Sequence, residues 1–97
     1  LSRKVDLSRR ARQQLLRALS WWYRHRDKAP NAFDEDLEET WELLINNPDV
    51  GSPVRSRRPG ARRVLMERVR YYVYYRSHED VIEVTAIWHA SRRPPRL

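Results

Sequence analysis

Val-Arg-Tyr-Tyr-Val-Tyr-Tyr-Arg (69–76) and Val-Ile-Glu-Val-Thr-Ala-Ile-Trp-His (81–89) decide the fold of this chain. β-branched and aromatic residues dominate both stretches, as a pleated, half-buried surface favours. Between them, Ser77-His78-Glu79-Asp80 is short and polar enough for a hairpin loop. Just upstream, Ala-Arg-Arg-Val-Leu-Met (61–66) is separated from residues 69–76 by Glu67 and Arg68. The three segments read as an antiparallel β-meander over residues 61–89.

Period-two alternation assigns the faces. In 69–76, Val69, Tyr71, Val73 and Tyr75 form the buried set, leaving Arg70, Tyr72, Tyr74 and Arg76 outside. In 81–89, Ile82, Val84, Ala86 and Trp88 share one side, and Val81, Glu83, Thr85, Ile87 and His89 the other. One face therefore serves a core. The other carries arginines, tyrosines and His89, and is the place to look for function.

Working outward, Pro48 to Gly60 contains both glycines and three prolines, with Arg55, Arg57 and Arg58, and reads as an exposed loop. Before it, Phe33, Leu37, Trp41, Leu44 and Ile45 recur at helical spacing. Pro30 fits that helix's first turn, Asp34, Glu35 and Asp36 suit its positive end, and Asn46-Asn47-Pro48 stops it. Further upstream, Ala11, Leu15, Ala18, Leu19 and Trp22 mark a basic amphipathic helix from Arg9 to about Arg26, with Ser8 as its N-cap and Asp27-Lys28-Ala29 as its end. Lys4-Val5-Asp6-Leu7 reads as a first strand. Residues 1–8 are thus strand and cap, 9–47 a helical hairpin, 48–60 a loop, 61–89 the meander and 90–97 a tail. The order β-α-α-β-β-β predicts one α+β domain, the hairpin covering the apolar face of a small, mainly antiparallel sheet.

Charge is distributed in blocks. Residues 1–28 carry nine Lys/Arg against two Asp, 29–50 seven acids and no Lys or Arg, and 51–97 eleven Arg against four acids. Such blocks attract polyanions or an acidic partner, and the basic and acidic helices are expected to complement each other across the hairpin. Without cysteines there is neither a disulfide framework nor a thiolate metal site. No apolar run approaches the roughly 18–20 residues of a membrane span, and no signal peptide is visible, so a cytoplasmic protein is expected. Opening on Leu1 rather than Met fits a processed or trimmed start.

No metal, nucleotide or nucleophile motif is present, and no cofactor is expected. His25, His78 and His89 lack ligand spacing. What remains is the open face. A metal-independent RNA cleavage site needs a base, an acid and cations for the developing charge. His89, Arg63, Arg76 and Tyr74 are the candidates for those roles. Arginines near tyrosines equally suit nucleic-acid contact or the grip of an acidic protein partner. For that binding role the candidates are Arg55, Arg57, Arg58, Arg62, Arg70, Tyr72, Arg92 and Arg93.

Over nearly its whole length the chain resembles the RelE/ParE toxins of bacterial type II toxin–antitoxin systems. The resemblance rests on Val5-Asp6-Leu7-Ser8, Asn47 to Val54, Arg62-Arg63-Val64-Leu65, Tyr72 to Arg76, Val81-Ile82-Glu83-Val84 and Ile87 to Pro94. It implies a growth-inhibiting toxin held in a hetero-oligomeric complex by an antitoxin whose disordered segment wraps it. Two activities occur on this fold. ParE-like members inhibit DNA gyrase without catalytic residues, and RelE-like members cut mRNA in the ribosome. The long hairpin and the His-Ala-Ser-Arg-Arg-Pro ending resemble the ParE side. The tail after His89 also adds arginines but no Tyr, His or Lys. A ParE-like inhibitor is therefore expected, with a ribosome-dependent RNase as the alternative.

Overall fold

The computed structural model describes residues 3–27 and 29–97, so Leu1 and Ser2 of the expected first-strand segment and Lys28 of the inter-helix stretch lie outside the described residues. The elements are β1 (Lys4–Leu7), α1 (Arg9–His25), α2 (Ala32–Asn46), β2 (Ser52–Pro53), β3 (Ala61–Met66), β4 (Tyr71–His78) and β5 (Val81–His89). The five strands form one sheet in the order β1-β5-β4-β3-β2. Only the β1–β5 pair is parallel. The two helices pack on one face of the sheet, giving the expected α+β architecture.

α1 starts where its cap dictates. The Ser8 side chain accepts from the Ala11 N–H at 3.0 Å, and Arg24 and His25 occupy the last turn, favourable for the dipole. Pro30 does not open α2. It sits second in a turn closed by the Ala32 N–H to the Ala29 carbonyl, the turn position its fixed φ prefers, and Asn31 is the N-cap.

The loop expected over 48–60 contains a short edge strand. Ser52 and Pro53 pair with Arg63 and Arg62, an edge being where proline is tolerated in a sheet. Tyr75 anchors this segment from beneath. Its hydroxyl donates to the Pro48 carbonyl at 2.7 Å and accepts from the Gly51 N–H at 2.9 Å. A Cβ on residue 51 would stand 2.7 Å from that hydroxyl oxygen, so only glycine fits there.

β4 starts two residues later than expected and ends two residues later. Val69 and Arg70 belong to a turn after β3, with Arg70 at φ 64°, and Ser77 and His78 continue the strand. The β4–β5 loop is only Glu79-Asp80, since His78 pairs with Val81. The cause of the late start lies in α2. Asp36 is 6 % exposed, and its carboxylate accepts from the Arg68 N–H, the Arg68 Nε–H and the Val69 N–H. One acid thereby ties the turn to the helix. Glu35 also pairs with Arg68, at 3.0 Å. Among the described residues no ion pair joins α1 to α2, contrary to the expected charge matching across the hairpin.

The largest correction concerns the last strand. Tyr74 pairs with Ala86 but Tyr75 pairs with Val84, leaving Thr85 as an extra residue in β5. A bulge of this kind shifts the alternation by one. Ile82 and Val84 face the helices before it, Ile87 and His89 after it. Ala86 and Trp88 turn to the open face. The physical reason is the end of β1 at Leu7, which leaves β5 without its parallel neighbour. The helix supplies substitutes: Ser8 Oγ donates to the Thr85 carbonyl, and Gln14 Oε1 accepts the Ile87 N–H at 2.8 Å.

Candidate functional site

Three clusters occupy the open face and its margins. The first is central. Paired positions place Arg63 beside Tyr74 and Leu65 beside Tyr72, with Tyr72 next to Trp88. The Arg63 guanidinium lies 4.0 Å from the centre of the Tyr72 ring and donates to the Tyr74 hydroxyl at 3.2 Å. One arginine thus locks two tyrosines of alternate positions, a cation–π contact with a polar handle. Its remaining N–H groups can serve an anion or a carbonyl.

The second cluster adjoins it. The Arg92 guanidinium lies 4.2 Å from the centre of the Trp88 ring, while Trp88 Nε1–H donates to the Arg93 carbonyl at 2.7 Å. The tail therefore folds back onto β5, and the side chains of Arg92 and Arg93 are both exposed. Strict alternation groups Trp88 with Ile82 and Val84 on the core side; the bulge makes it part of this surface.

In the third, Arg76 and Arg58 share one oxygen of Glu83 at 3.3 and 3.6 Å, and Arg76 also donates to the Pro59 carbonyl. Arg57 lies alongside, and Arg55 is exposed on the same segment.

The remaining candidates lie elsewhere. Arg62 points to the helix side and donates to the Gly51 and Asp49 carbonyls, bracing the edge strand. Arg70 is exposed in the β3–β4 turn, where its carbonyl accepts the Ala90 N–H. His89 shares no face with Arg63, Arg76 or Tyr74. Its ring meets Tyr71 edge-on at 5.0 Å, and Tyr71 in turn meets Phe33 of α2. His89 Nδ1 accepts the Ser91 N–H at 3.1 Å and the Ser91 hydroxyl at 2.6 Å, which leaves the ring proton on Nε2. His89 borders a groove of about 590 Å³ with Gln14, Arg17 and Trp21 of α1. Burial raises the phenol pKa of Tyr71 above its ordinary value, and the nearby Arg92 cation offsets part of that rise.

Among the described residues no group of three or more His, Cys, Asp or Glu side chains is placed to hold a metal ion. No helix among them is long and apolar enough to cross a membrane. What the open face offers is cation–aromatic recognition, with a carboxylate and a proton-carrying imidazole on separate sides of the sheet.

The family model described as the ParE toxin of the type II toxin–antitoxin system, parDE, matches residues 5–94. The curated proteins give no significant match. Among solved structures, the chain is similar to one from the chromosomal ParDE system of P. aeruginosa, with TM-score 0.70 and 21% identity over 92% of this chain and 97% of that one. It is also similar to a chain of the E. coli DinJ–YafQ toxin–antitoxin complex, with TM-score 0.64 and 18% identity over 92% and 93% of the two chains. YafQ from E. coli strain BL21(DE3) gives TM-score 0.61 and 22% identity over 90% and 92%. At these identities the structural likeness is one of fold.

Proposed function

This chain belongs to the ParE toxin family of type II toxin–antitoxin systems, and from that premise we propose that it inhibits growth by binding DNA gyrase, without catalytic residues of its own. A cognate antitoxin neutralises it in a hetero-oligomeric complex, in the cytoplasm where gyrase works. The observation that carries this reading is the separation of His89 from Arg63 and Tyr74. A general base must reach the proton it removes, directly or through one water. Here the imidazole is on the helix side of the sheet and the arginine–tyrosine pair on the other.

Arg63, Tyr72, Trp88 and Arg92 then form a recognition surface rather than a reaction centre. Aromatic and arginine side chains of this kind anchor protein interfaces, and the tail arginines extend the surface beyond β5. The alternative, a ribosome-dependent endoribonuclease, draws support from the same Arg63–Tyr74 contact, which could hold a phosphate. The two readings part in one pair of assays. Purified toxin should inhibit gyrase supercoiling at concentrations that leave mRNA intact in a coupled translation reaction. Discrete mRNA cleavage with unimpaired supercoiling would replace the inhibitor reading by the nuclease one.

A further inference from the structure

Beyond the central cluster, one pocket concentrates charge that the fold does not balance. It measures about 350 Å³ and lies between the first turn of α1, the segment leading into β3, and β4. Arg10, Arg57, Arg58 and Arg76 line it, with Leu97 of the tail forming one wall. Glu83 serves Arg58 and Arg76 together. Arg10 has a neutral partner, the Arg96 carbonyl, at 2.6 Å. Among the described residues no carboxylate pairs with Arg10 or Arg57. Four guanidinium groups from three elements thus line one pocket, and among the described residues Glu83 is the one acidic side chain paired with any of them.

The helix adds to the imbalance. The positive end of a helix dipole favours acids in the first turn. α1 has none there and carries Arg9 and Arg10 instead. Both features are unfavourable in isolation and both are relieved by one bound anion. A further carboxylate brings one charge and two oxygens. A phosphate brings more charge and three free oxygens, each able to meet a planar guanidinium fork.

We propose that this pocket is a phosphate-binding site, its ligand either a free phosphate compound or a phosphate of a nucleic-acid strand. Arg57 and Arg58 supply exposed forks from the loop, Arg76 one from the sheet, and Arg10 the contact nearest the helix end. Arg76 follows Tyr74 by two residues on the same face of β4, so the site adjoins the central cluster, and it does not depend on which target the toxin has.

Isothermal titration at fixed ionic strength tests it, using the whole chain with inorganic pyrophosphate and, separately, a single-stranded DNA hexanucleotide. The expected result is saturable 1:1 binding of pyrophosphate, weakened at least about tenfold by the double change Arg57→Gln/Arg58→Gln and by Arg76→Gln. Arg24→Gln removes the same charge from an exposed position near the far end of α1, and binding should stay within about twofold. Circular dichroism melts confirm that each variant is folded. Binding of the hexanucleotide alone, with the same dependence on variants, assigns the site to backbone phosphate. The proposal fails if neither ligand binds, or if Arg24→Gln weakens binding as much as the pocket variants do. It also fails if a hexaglutamate peptide binds with that variant dependence where both phosphate ligands do not.

Discussion

β4 places four tyrosines in two pairs, and the two faces of the sheet treat them differently. On the helix side, Tyr75 is fully buried and spends its hydroxyl on Pro48 and Gly51, while Tyr71 packs edge-on against Phe33. On the open side, Tyr74 is almost as buried, at 2 % exposure, yet its partner is a cation, and Tyr72 lies under the same guanidinium. The first pair holds the fold together. The second pair presents Arg63 in a fixed pose. Burial alone does not separate structural from functional aromatics; the partner of the ring and of the hydroxyl does.

The largest expected effect falls on the helix side. Phe33 is 1 % exposed and touches Trp22 and Tyr71. Phe33→Ala should cost about 3–5 kcal/mol in urea denaturation, a large share of a small domain's stability. A loss under 1 kcal/mol would mean that the helices do not close this face as described. Next comes Asp36, whose removal strands the buried Val69 N–H and two donors of Arg68. Because the Arg68 side chain is 52 % exposed and can rehydrate, Asp36→Ala should cost about 2–3 kcal/mol rather than the full penalty of a buried ion pair. The loss should appear chiefly as faster amide exchange in the 67–70 turn.

That turn also marks how far the sequence could be read. β3 and the composition of β4 and β5 were legible because β-branched and aromatic residues cluster there. The helices were legible from their spacing and from Ser8. The late start of β4 was not, since its determinant, Asp36, lies 32 residues away in an acidic run that local rules assign to a helix end. Arginine at φ 64° gives no local warning of a turn. The bulge at Thr85 left one trace. Ala86-Ile87-Trp88 are three consecutive apolar residues, a run for which alternation offers no assignment. Once the bulge is counted, Trp88 joins the open face and His89 leaves it, so the candidate nuclease group comes apart while Arg63, Tyr72 and Tyr74 come together.

Substitutions at the exposed Arg92 and Arg93 should leave stability within about 0.5 kcal/mol and, like His89→Gln on the helix side, are read in function instead. His89→Gln should preserve a contact to Ser91 and lower toxicity only modestly. Charge reversal at Arg92 and Arg93, exposed beside Trp88, should weaken gyrase inhibition more. A folded His89→Gln protein that lost roughly 10²–10⁴-fold in activity, with the Arg92/Arg93 variant intact, would make His89 a general acid or base and reverse the assignment.

The smallest effect at neutral pH belongs to Tyr71→Phe, and it becomes visible only in alkali. Burial raises the Tyr71 phenol above its unfolded value near 10, with Arg92 opposing. The folded state therefore favours the neutral phenol. Its contribution is fully present below pH 10 and is lost as pH rises through the folded pKa, because the unfolded chain ionises first. Removing the phenol should change stability by less than about 0.5 kcal/mol at pH 7. It should also make the stability loss above pH 10 shallower than in the parent chain. Removing the opposing cation, by Arg92→Gln, should act in the other direction and steepen that loss, since the phenolate would then be buried without its nearby cation. Urea midpoints measured from pH 8 to 11 on the parent and both variants check the pair. Parallel curves for all three would show that Tyr71 is not desolvated against Phe33, and the distinction between the two faces would then rest on Tyr75 alone.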